Sequence, residues 1–61
     1  MQDMLARLEK LRREAAECGL IRDAATNQTK RDLFDRLAAH LTVLASEIER
    51  VILEEGQRGR R

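Results

Sequence analysis

The sequence contains no proline, tryptophan or tyrosine, and Phe34 is its one aromatic residue. Without proline, no ring clash or missing N–H donor forces a helix to break. Cys18 is the single cysteine. No disulfide can close within one chain, and a lone thiol fits a reducing compartment. Glycine occurs only at Gly19, Gly56 and Gly59, and there is no phosphate-cradling glycine loop. Valine, isoleucine and threonine are too sparse and unclustered for a sheet. No apolar run approaches the roughly 18 residues of a bilayer-spanning helix. Met1-Gln2-Asp3-Met4 lacks the charged and apolar blocks of a signal peptide. A cytoplasmic protein that does not engage membranes is expected. Neither sign of charge dominates: 12 basic and 11 acidic residues leave a net charge of +1, which gives no global pull towards nucleic acid.

What is present is helix-forming. Charged residues make up 38% of the chain, and alanine, leucine, glutamate and arginine dominate, the mix of long helices and coiled coils. A length of 61 residues bounds the chain at one domain. Below about 70–80 residues a single core rarely supplies more than about 3–5 kcal/mol. With no disulfide available, self-association is the expected supplement.

Apolar or small residues fall at Met1, Met4, Leu8, Leu11, Ala15 and Cys18, and again at Phe34, Leu37, Leu41, Leu44, Ile48 and Val51. Both series alternate steps of three and four, the spacing of a coiled-coil seam. Between them Asn27 can cap a second helix, because its side-chain oxygen accepts from a first-turn N–H. Gly56 reads as a helix stop. The expected organisation is a hairpin over 1–56, with helices at about 2–25 and 28–55, a turn at 26–27, and a flexible basic tail at 57–61. The first helix is expected to run through Gly19, at a cost of about 1 kcal/mol relative to alanine.

Folding the chain about Thr26 pairs Met4 with Ile48, Leu8 with Leu44, Leu11 with Leu41, Ala15 with Leu37 and Cys18 with Phe34. Further apolar residues lie beside this seam, at Leu5, Ala16, Leu33, Ala38, Ala45 and Ile52. A lone hairpin would leave them wet, and a dimeric four-helix bundle would cover them. The fold class expected is thus all-α, a two-helix antiparallel hairpin that dimerises.

Site chemistry is sparse. A zinc site needs about four converging ligands. Cys18 and His40 are the soft candidates, and the Thr26 register sets them more than a turn apart. No Glu-x-x-His motif occurs, and Glu9, Glu14, Glu17, Glu47 and Glu49 fall off the seam. Thr42, Ser46 and Cys18 lack the base and orienting group of an activated nucleophile. No catalytic residue, metal or cofactor is expected, and the chain does not read as an enzyme. The leading expectation is a small self-associating helical protein acting through contacts with itself or another helical protein. The alternative is a nucleic-acid accessory protein using Arg58, Arg60 and Arg61, since Arg-Gly segments bind RNA through phosphate contacts and stacking.

The stretch Leu11-Arg12-Arg13-x-Ala15-x-x-Cys18, followed by Ala24-Ala25-Thr26-Asn27-x-x-x-Arg31, Leu33-Phe34-x-x-Leu37-Ala38 and Leu44-Ala45, resembles a group of short α-proteobacterial proteins. These are common in rhizobia-like lineages and carry no assigned activity. The resemblance spans about residues 11–50. It departs at Asn27-Gln28, where members often carry Asp-Pro, and near His40, where they often carry an aromatic residue. It implies a bacterial cytoplasmic helical hairpin without catalytic residues.

Overall fold

Asn27 sets the point of reversal. Its Oδ1 accepts from the Lys30 backbone N–H at 3.2 Å, while its carbonyl accepts the first helical rung from the Arg31 N–H at 3.0 Å. One residue thereby satisfies first-turn donors that would otherwise be orphaned. On the other side, the Ala25 N–H donates to the Arg22 carbonyl at 3.2 Å and tightens the last turn of the preceding helix. The computed structural model describes residues 2–58. In it α1 spans Gln2–Ala24 and α2 spans Gln28–Arg58, packed as an antiparallel hairpin 53 × 14 × 12 Å in extent.

α1 continues through Gly19 without a left-handed residue. α2 likewise passes Gly56, the expected stop, and carries Gln57 and Arg58 in helix. Residues 57 and 58, expected in the tail, are thus part of α2. With no proline after Gly56 and no left-handed turn at it, only the small propensity cost of glycine opposes continuation. Arg60 and Arg61 lie outside the described residues, as does Met1.

The core is a short layer in the middle of the hairpin. Leu8 (6% exposed), Leu11 (8%) and Ala45 (5%) are buried, and Leu41, Ile48 and Ile52 pack against them. Met4, Ala15 and Cys18 continue the α1 side of this contact, half-buried. On α2 the half-buried or buried positions are Phe34, Ala38, Leu41, Ala45, Ile48 and Ile52. The expected seam is corrected here. Leu37, Leu44 and Val51 are exposed, and Ala38, Ala45 and Ile52, expected on an outer flank, take their places. α2 is rotated by roughly 50°, half a residue step of the 3.6-residue helix.

The register also moves. Folding about Thr26 would set Arg12 level with His40 and Arg22 level with Lys30. Instead Arg12 Nη2 meets Glu49 Oε2 at 2.6 Å and Arg22 Nη1 meets Asp35 Oδ1 at 2.9 Å. Leu11 shares its layer with Ala45, about one turn beyond the expected Leu41. Two causes act together. Residues 26–33 are all exposed, so the first turn of α2 lies past the end of α1 and pairing starts at Phe34. Alanine at 45, in the layer of Leu8 and Leu11, lets the helices approach closely, whereas a leucine there would hold them apart and leave voids.

Two substitutions test this packing. An added Cβ at Gly19 would meet Arg22 Nη2 at an ordinary 3.6 Å. Gly19→Ala should raise stability by about 0.5–1 kcal/mol, read as a rise of several degrees in the thermal midpoint. Ala45→Leu should overpack the buried layer and destabilise by about 1–3 kcal/mol in urea titration. A neutral or stabilised Ala45→Leu chain would return Leu44 to the seam.

Candidate interaction surface

Turning the alanine stripe of α2 inward turns a leucine stripe outward. Leu33, Leu37, Leu44 and Val51 are 43, 37, 47 and 42% exposed. With His40 and Glu47 they follow steps of four and three along one helical face. The stripe runs from Leu33 to Val51, roughly 27 Å of helix. It lies about a quarter-turn from the side that contacts α1.

Ile21 of α1 borders the same side. A shallow groove of about 340 Å³ runs between the helices, floored by Cys18 and Leu41 and edged by Glu14, Glu17, Leu37 and His40. The shifted register thus brings Cys18 and His40 to one groove, where the Thr26 fold had kept them apart. Cys18 is a half-buried free thiol. Among the described residues, no three histidine, cysteine, aspartate or glutamate side chains are grouped to hold a metal ion.

The other side of the interhelix contact is polar. A smaller groove of about 280 Å³ is bordered by Arg12, Ala15, Thr42, Ala45 and Ser46. The Thr42 hydroxyl donates to the Ala38 carbonyl at 2.8 Å, so its proton is engaged in the helix. Arg12–Glu49 bridges this side between exposed partners, a kind of pair worth about 0–1 kcal/mol. Leu5 and Ala16 are exposed and share the Arg12 face by their spacing, so they stand apart from Leu33.

Near the turn, the Arg22 guanidinium lies between two carboxylates, Asp35 at 2.9 Å and Asp23 at 3.1 Å. Hydrogen bonds to Asp35 and then Asp23 push its already high pKa further up, so Arg22 remains a cation and fastens the α2 entry to the α1 exit. Asp32 accepts from the Gln28 side-chain amide at 2.7 Å. Asp3–Arg7, Glu9–Arg13 and Asp32–Arg36 have the i, i+4 spacing that permits within-helix pairing, yet they are not among the ion pairs formed by the described residues. Such pairs gain only a few tenths of a kcal/mol, too little to fix long exposed side chains.

Sequence reasoning misassigned Leu37, Leu44 and Val51. Apolar residues occur side by side at 33–34, 37–38, 44–45 and 51–52, a signal that α2 has two apolar faces. Which one turns inward depends on the size of the residues opposite. Near the end of α2, Ile52, Leu53, Gly56 and Gln57 border a further open cleft of about 450 Å³.

No described helix is long and apolar enough to cross a membrane. No protein-family model, curated protein or solved structure matches the chain.

Proposed function

We propose that this protein works through protein–protein contact, as a small helical module that self-associates through the leucine stripe of α2. The observation that carries this reading is the exposure of Leu33, Leu37, Leu44 and Val51 on one face, beside a core in which only Leu8, Leu11 and Ala45 are buried among the described residues. Fully burying an exposed leucine side chain is worth about 1.5–3 kcal/mol; the four stripe residues are already more than half covered, so covering the rest would add a fraction of that at each position. Large apolar side chains exposed along one helical face, here with His40 and Glu47 between them, are a feature of interaction sites. The role would be that of an adaptor or regulator in the cytoplasm, its activity residing in a helical surface and not in a pocket. The grooves described are shallow, and Thr42, Ser46, Cys18 and His40 form no nucleophile–base–orienter arrangement. The residues that build the hairpin, Leu11, Ala15, Cys18, Asn27, Phe34, Ala38 and Ala45, overlap those that carry the resemblance to short α-proteobacterial hairpin proteins. Membership of that group belongs to the same proposal.

The test is solution mass by light scattering over a hundredfold concentration range, with helicity read on the same samples. The chain should be a helical dimer or higher oligomer that loses mass on dilution. Leu44→Asp should shift it to monomer at concentrations where the unaltered chain is associated, because a charge would have to be buried unpaired. A chain that stays monomeric and fully helical throughout would overturn the reading.

A further inference from the structure

The stripe side of the hairpin carries two rows. On α2 the row is Leu33, Leu37, His40, Leu44, Glu47 and Val51. On α1 the same helical spacing gives Asp3, Arg7, Lys10, Glu14, Glu17 and Ile21. Glu14, Glu17 and Ile21 border one groove with Leu37 and His40, which sets the rows side by side. Both rows step by four, three, four, three, four. That spacing reads the same in either direction, so a two-fold axis through its middle lays the row on its own reverse.

The middle of the α2 row falls at Thr42, near the midpoint of α2 itself. The middle of the α1 row falls at Arg12. Because Leu11 and Ala45 occupy one layer, these two levels lie within about a turn of each other. An axis placed between these levels lays each row on its own reverse to within about a turn, inside the reach of long charged side chains, with the two hairpins overlapping along most of their length. One broad side of a rod 53 Å long and 14 Å wide is about what a standard interface of ~800 Å² per partner requires.

Charge follows the same symmetry. Along the α1 row the N-terminal half is basic, Arg7 and Lys10, and the C-terminal half is acidic, Glu14 and Glu17. Reversal brings Lys10 level with Glu14 of the partner subunit and Arg7 level with Glu17 of the partner subunit. On the outer edge of α2, Arg36 comes level with Glu47 of the partner subunit. A parallel arrangement would set like charges against each other at every one of these positions, which is unfavourable.

Resting on the self-association reading above, we infer that the partner is a second copy of this chain, docked antiparallel with α2 on α2 and α1 on α1. The product is a two-fold symmetric four-helix bundle. The leucine stripe forms its inner contact, and Arg7–Glu17 and Lys10–Glu14 pair between subunits to set the orientation.

Charge reversal tests the orientation separately from the association. The double variants R7E/K10E and E14K/E17K should each weaken the dimer at least tenfold at low salt, measured by sedimentation equilibrium. An equimolar mixture of the two should recover the affinity of the unaltered chain, as should the single chain carrying all four reversals. The differences should shrink in 1 M salt, where screening acts over about 3 Å. If a double variant loses helicity far above its dissociation constant, R7Q/K10Q replaces it, with a several-fold weakening expected. Dimers that the reversals leave unchanged, or a four-fold reversed chain as weak as the double variants, would overturn the antiparallel arrangement while leaving self-association intact. A monomeric unaltered chain would overturn both.

Discussion

Close approach of α1 and α2 at the layer of Leu8, Leu11 and Ala45 is the constraint from which the other features follow. An alanine at the centre of the contact leaves room for two leucines from the opposite helix, and Ala15, Cys18 and Ala38 keep the neighbouring layers thin. Close packing rewards this because a void forfeits dispersion contacts on every atom that lines it. Once the small stripe of α2 faces inward, the larger stripe a quarter-turn away must face out. The exposed leucines are thus a consequence of how the interior is filled.

The turn works with that layer. Asn27 caps α2, and Arg22 ties Asp35 to the end of α1. Since residues 26–33 stay exposed, these contacts fix how far α2 has climbed before it meets α1. That offset decides which side chains share a level: it sets Arg12 by Glu49 and brings His40 to the groove of Cys18. A hairpin with a tighter return would have placed the same residues in different company. The electrostatic contacts are exposed and individually weak, so they adjust the register that packing permits and do not create it.

The functional reading grows from the imbalance between the two apolar faces. The inner face has three buried residues with Leu41, Ile48 and Ile52 packed against them; the outer carries four large exposed ones, spaced by His40 and Glu47. The charge order along α1, basic then acidic at matching intervals, gives the outer face a direction.

Helix formation, the hairpin and its reversal at Asn27 were legible in the sequence, because each depends on local properties: a three-four apolar period, a capping side chain, no proline. Continuity through Gly19 was only the favoured of two readings, since a left-handed cap there also fitted the sequence; the structure shows no left-handed turn at it. The end of α2 was not legible, since Gly56 stops a helix only when it adopts a left-handed turn, and here it does not. The α2 face that turns inward was decided by tertiary structure alone. Leu37, Leu44 and Val51 fit the heptad period as well as Ala38, Ala45 and Ile52 do, and periodicity is blind to volume. Only the side chains opposite, Leu8 and Leu11 flanked by Ala15 and Cys18, select between them, because two solid surfaces can interlock in one rotation and register but not in both.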